Sequence, residues 1–152
     1  VFGDARMRYP RVNAEEVLRR EKCAWLVPPH VPADCTHTYG AWTCVLDEQA
    51  RGADWRTFRR VFIDRGGDGL YASWRPVHLE PVFRDLAFYG RPDQAPNFDP
   101  RYRGAVKRYA AGDCPVCEAL QPRLCPFKTS MQTLEKVERQ VDALAAAVRH
   151  FG

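Results

Sequence analysis

The chain predicts a small α+β domain, with a short sheet of about three strands packed against helices. Three observations carry that expectation. A helix-period stripe begins at Trp55, period-2 or strand-like stretches lie near Trp42, Leu70 and Leu124, and a long amphipathic helix follows Ser130. The strands are too few for a doubly wound fold.

The segment Trp55 to Pro81 is the clearest part of the pattern. Trp55, Phe58 and Phe62 recur at helical spacing with Val61 beside them, while Arg56, Arg59 and Arg60 fall off that stripe. Asp54 stands at the N-cap position, and Gly66 or Gly67 stands where a left-handed residue closes a last turn. Gly66-Gly67-Asp68-Gly69 superficially resembles a phosphate-cradling loop, but its direction is wrong. Such a loop runs from a strand into a helix N-terminus, whereas here the glycines follow a helix and so lie at the negative end of its dipole. A structural turn is the expected reading. Leu70 to Trp74 then has strand composition, with Leu70, Ala72 and Trp74 on one face and Tyr71 and Ser73 on a face free to hold a ligand.

The remaining elements follow in order. Asn13 to Glu16 has capping-box spacing and opens a short helix through Val17 and Leu18 to about Lys22. The prolines of Trp25 to Pro32 forbid a helix and impose an extended connecting strip along an edge. His37 to Asp47 reads as a strand with Trp42, Cys44 and Leu46 on one face. Glu80 to Leu86 suits a helical turn, and Tyr89 to Gly112 a long loop with a functional or interface role. Pro115 starts a short helix carrying Val116, Ala119 and Leu120. Leu124 to Lys128 is a third strand whose Pro126 marks an edge or a strand start. In the last helix Leu134, Val137, Val141, Leu144 and Val148 share a face, and Thr129 or Ser130 is the expected cap, with Thr129 and Gln132 at capping-box spacing.

Composition narrows the function classes. A 152-residue chain with 45% hydrophobic residues suits one globular domain, and no apolar run approaches the ~20 residues of a membrane span. The net charge of +4 is spread along the chain. Its basic-aromatic clusters, Arg6, Arg8 and Arg11 with Tyr9 and Arg101 to Arg108 with Tyr102 and Tyr109, read as solvated surface, not a nucleic-acid groove. The first residue is Val and no signal peptide is evident, so a fragment or processed chain is expected. Six cysteines without secretory context read as mostly buried thiols in a reducing compartment. Cys114-Pro-Val-Cys117 lacks both a second zinc-ligand pair and the βαβ frame of a redox site, leaving metal and thiol chemistry as minor alternatives.

Candidate binding groups cluster at strand ends and bends, where scaffolds present functional side chains. They are His37 and Tyr39 before the first strand, Tyr71 and Ser73 on the second, and Trp74, Arg75, His78 and Glu80 in the bend. No elbow serine, zinc-protease motif or evident carboxylate pair accompanies them.

Taken in order, HTYGAW, WRTFRRVFIDRGGDGLYASW, HLEPVF, GDCPVCEALQPRLCPFKT and the terminal amphipathic helix resemble the C-terminal domain of PLP-dependent sugar aminotransferases of the DegT/DnrJ type. The resemblance runs from about Trp25 to the C-terminus. It implies the small domain of a fold type I aminotransferase, residues 25–152, preceded by an extension and short helix, residues 1–24, leading from a large α/β domain. Such enzymes are cytoplasmic homodimers that move an amino group from glutamate or glutamine to a keto-sugar, usually nucleotide-linked. The pyridoxal phosphate and its Schiff-base lysine belong to the large domain. Lys22, Lys107, Lys128 and Lys136 do not match that lysine's context, so no catalytic residue is expected in this chain. The resemblance places His37, Tyr39, Tyr71, Ser73, Trp74 and Arg75 on the substrate side, with Trp74 suited to stacking on a sugar or base and Arg75 to a phosphate or carboxylate. Many members carry a His-containing stretch where this chain has Tyr71 to Trp74, which leaves the sugar's identity open. A reading from another class is a stand-alone binding module that uses the Tyr71–Glu80 bend.

Overall fold

The computed structural model describes residues 13–47, 53–87 and 108–152. The chain forms two units, Val1–Ser73 with Arg123–Gly152, and Trp74–Pro122. The helices are α1 (Glu15–Arg20), α2 (Trp55–Asp64), α3 (Pro81–Arg84), α4 (Pro115–Leu120) and α5 (Leu134–Phe151); the strands are β1 (Leu26–Val27), β2 (Ala41–Leu46) and β3 (Leu124–Lys128). Both α3 and α4 lie in the second unit.

An antiparallel sheet in the order β1-β2-β3 forms the frame of the first unit. Trp42 pairs with Phe127 and Cys44 with Cys125, so the period-2 alternation of both strands delivers large side chains to one buried face. Thr43, Val45 and Pro126 stand on the opposite, less buried face. The expected connecting strip supplies β1, whose two residues pair with Leu46 and Val45 before Pro28 and Pro29 end the ladder.

Helix α2 buries Phe58 and Phe62, with Trp55 and Val61 packed at the margin. Asp54 caps it as expected, accepting the Thr57 N–H at 2.8 Å; that bond holds the Asp54 carboxyl below the usual carboxylate range. At the other end Gly66 adopts φ 90°, and the N–H groups of Gly66 and Gly67 return to the carbonyls of Ile63 and Phe62. This is a Schellman closure, so the glycine run ends a helix and cradles no phosphate. Helix α1 ends in the same way on Lys22 at φ 52°, with Lys22 and Cys23 donating to Arg19 and Leu18. Its Val17 and Leu18 enter the same buried cluster as β2, α2 and α5.

Four expectations are corrected. The strand at Leu70 to Trp74 is reduced to a single bridge between Leu70 and Phe127. The bridge is flanked by Lys128 N–H to Gly69 O (2.7 Å) and Tyr71 N–H to Pro126 O (3.0 Å). Continuing the ladder needs a return bond from the N–H of residue 126, and proline has none. Alternation lapses there, and Ala72 and Trp74 are exposed. The capping box at Asn13 does not form: Ala14 occupies the cap without a side-chain bond, and Glu16 pairs with Arg19. Helix α5 is capped by Thr133, which accepts the Lys136 N–H, not by Thr129 or Ser130; Thr129 is buried and bonded elsewhere. Finally, only Cys44 and Cys125 are fully buried and Cys23 partly so, while Cys35, Cys114 and Cys117 are exposed on loops and on the coreless α4.

Other expectations match. The turn near Glu80 appears as α3, the Pro115 helix as α4, and Val137, Leu144 and Val148 of α5 are buried. Val116 and Leu120, however, are exposed. The proposed loop from Tyr89 lies outside the described residues up to 107, as do Arg6 to Arg11 and Arg101 to Lys107. No helix among the described residues is long and apolar enough to cross a membrane.

A Cβ on Gly67 would stand 2.4 Å from the ring of Phe62, which is fully buried and cannot swing away. Gly67→Ala is therefore expected to destabilise the fold by about 1–3 kcal/mol through overpacking. Urea unfolding reads this as a lowered midpoint, and an unchanged midpoint would contradict the packing.

Candidate functional site

His37 and Tyr39 are brought together. Their rings stack with centroids 4.3 Å apart, and the Tyr39 N–H donates to His37 Nδ1 at 2.8 Å. With Nδ1 accepting, the neutral imidazole carries its proton on Nε2. Tyr39 holds φ 48°, a left-handed conformation that is costly for a bulky residue, and must be restrained by its neighbours. The second restraint comes from far along the chain. Thr129 Oγ1 donates to Tyr39 O at 2.5 Å and also lies 3.2 Å from Gly40 O. The turn is thus pinned at its amide and its carbonyl just before β2 begins. His37 and Tyr39 line a cavity of about 510 Å³ together with the strip Val27 to Ala33, Cys35 and Glu15.

Tyr71 lines a different depression. It is shallow, about 310 Å³, and shared with Trp55, Arg56, Arg59 and Ala72. Arg59, off the apolar stripe of α2, donates from Nε to the Leu70 carbonyl at 2.8 Å. That guanidinium covers a carbonyl directed away from β3, where a further strand would otherwise pair. Ser73 is half-buried at the end of the first unit. Trp74 and Arg75 belong to the second unit and are exposed, Trp74 at 92%. Within the first unit, His37 and Tyr39 therefore line one cavity and Tyr71 another, while Ser73 lines neither.

The second unit holds a polar cluster that the sequence reading did not anticipate in full. Glu118 of α4 accepts the N–H groups of Gly112 (2.9 Å) and Cys114 (3.1 Å) and meets His78 Nε2 at 2.8 Å. The backbone donors, led by Gly112, and then His78 hold its carboxyl below the usual glutamate range. The available signal was a glutamate in the first turn after a Gly-Asp-Cys-Pro helix start, where a carboxylate can reach back to free N–H groups. Its part is to fix the turn before α4.

A third depression, about 430 Å³, lies in the first unit between Lys128 at the end of β3, Asp68, and Lys136, Arg139 and Gln140 of α5. It brings two lysines, Lys128 and Lys136, together with one carboxylate, Asp68. Its fit to pyridoxal phosphate is poor, because no aromatic side chain lines it to face a pyridine ring. Lys22 is exposed at the closure of α1. The described residues contain no group of three or more His, Cys, Asp or Glu side chains able to hold a metal ion.

Comparison with protein-family models yields no match, and comparison with curated proteins yields no significant relative.

The Thr129 hydroxyl is the part of the first cavity most open to test. Thr129→Val keeps the shape but removes the hydroxyl from the buried Tyr39 carbonyl, and should cost about 1–3 kcal/mol. Thr129→Ser should retain most of the stability. Equal unfolding free energies for the valine variant and the parent would show that the hydroxyl does not hold the turn.

Proposed function

We propose that this chain is the small domain of a PLP-dependent sugar aminotransferase, acting together with a large domain that holds the cofactor and the Schiff-base lysine. The reaction proposed is amino transfer from glutamate or glutamine to a keto-sugar, nucleotide-linked, in a cytoplasmic homodimer. Alone, the chain is expected to be inactive. Pyridoxal phosphate supplies the electron sink of such a transfer, and no step through it is assigned to residues of this chain.

The observation that carries the reading is the state of the second unit. Neither α3 nor α4 buries a residue, while Trp74, Val77 (66% exposed), Phe83, Val116 (80% exposed) and Leu120 face outward. Apolar side chains exposed in that number by the described residues suit a wall that another protein surface completes. An α+β unit carrying such a wall, together with the ordered motifs from His37 to the terminal helix, supports the aminotransferase reading over an independent domain. In that setting Trp74 stacks on the sugar or base and Arg75 pairs with a phosphate or donor carboxylate. His37 and Tyr39 present a restrained polar pair to a ligand-sized cavity.

The same exposure of Trp74 and Val77 favours a second reading, a stand-alone binding module using the Tyr71–Glu80 bend. The two readings separate on the coding sequence and on kinetics. The aminotransferase reading expects a lysine and an acidic partner in an α/β domain encoded upstream, and a KM for the sugar raised about tenfold in Trp74→Ala or Arg75→Ala of the complete enzyme, the loss expected for one stacking or charge-assisted contact. The absence of such a domain, with a stable monomeric product of this length, would overturn it.

A further inference from the structure

We propose that the cavity between the end of β3 and the first turns of α5 is a binding site for a phosphate group, carried by a small phosphomonoester. The proposal stands on residues of the first unit alone and does not depend on the aminotransferase reading.

Three cations, Lys128, Lys136 and Arg139, line the cavity against a single carboxylate, Asp68. Among the described residues none of the three is paired with a carboxylate; the Lys136 ammonium has Gln132 Oε1 as its hydrogen-bond acceptor, at 3.4 Å. Three cations sharing a cavity with one carboxylate leave it an excess of positive charge, which a dianion placed there offsets.

A second and independent feature points the same way. Gln140 is 2% exposed, an unusual place for an amide on the buried face of a helix. Its Oε1 accepts the Asp68 N–H at 2.7 Å, which fixes the amide's orientation. The Nε2 group has no acceptor among the described residues, although Gln140 lines the cavity. A buried amide held by its oxygen and left with unused N–H donors is a preorganised donor for an oxygen-rich ligand.

The chemistry of the set selects the ligand class. A guanidinium, two ammonium groups and an amide N–H match the charge and several acceptor oxygens of a phosphate better than a lone carboxylate. The volume of about 430 Å³ falls in the range of small-molecule sites, which leaves room for the organic part of a phosphomonoester.

The test is a titration of the 152-residue chain with inorganic phosphate and, separately, ribose 5-phosphate. Ionic strength is held constant with sodium chloride, and binding is followed by ¹H–¹⁵N NMR. Saturable shifts are expected at the Gln140 side-chain amide and at the backbone of Lys136 and Arg139. Tighter binding of ribose 5-phosphate supports a phosphomonoester as occupant, whereas equal affinity overturns that part in favour of the free ion. The double variant Lys136→Gln/Arg139→Gln alters exposed residues and should weaken binding by about tenfold or more through loss of charge-assisted bonds. Lys22→Gln, at the closure of α1, should leave binding unchanged. Shifts scattered over the surface, or a double variant that binds as tightly as the parent, would overturn the site.

Discussion

The ring of Phe127 is the contact on which the first unit depends. It lies 5.1 Å from Trp42 across the sheet, and meets Phe62 and Phe58 of α2 edge-on at 5.5 and 6.3 Å. Its backbone lies opposite Trp42 on one side and bridges Leu70 on the other. Burying such a ring contributes about 1.5–3 kcal/mol, and each aromatic pair adds ~0.5–1.5. Phe58 in turn touches Trp25 and Phe151, so strip, sheet and both long helices close on one aromatic cluster. The polar features are fixed by the same strand. Lys128 and Thr129 follow Phe127 directly, one walling the cationic cavity and the other reaching the carbonyl of Tyr39.

The periodic parts of this arrangement were legible in the sequence because burial itself writes the period. Trp42, Cys44 and Leu46 alternate, and Phe58 with Phe62, and Val137 with Leu144 and Val148, mark helical faces. Features set by distant partners were not legible. Leu70 to Trp74 has strand composition, yet its pairing is decided by the missing N–H of Pro126 on another segment. Thr129 has the chemistry of a helix cap, but its hydroxyl is engaged by Tyr39 and Gly40, and the helix starts later on Thr133. The prolines after Val27 hid the short strand that precedes them.

The candidate sites show the same division. His37 and Tyr39 are sequence neighbours, and their grouping could be read directly, although the left-handed backbone at Tyr39 could not. The cationic cavity draws Asp68, Lys128 and Gln140 from three separate segments, and no local spacing announces it. Buried glutamine is the trace it leaves: Gln140 interrupts an otherwise apolar face of α5, and its partner is a backbone N–H in the glycine turn.

The two units differ in what supports them. The first has the aromatic cluster, a hydrogen-bonded sheet and an 18-residue helix, whereas the helices described in the second are a 3-10 turn, Val77–Leu79, and α-helices of four and six residues, none of which buries a residue. Short helices draw their stability from packing, and a segment that exposes its apolar residues has little of it until another surface arrives. Backbone hydrogen exchange of the 152-residue chain measures this difference most directly. The expected result is protection in β2, β3, α2 and α5 on the order of a hundredfold or more above that of residues 77–84 and 115–120. Equal protection in the two groups would contradict a finished first unit joined to a wall that awaits its partner.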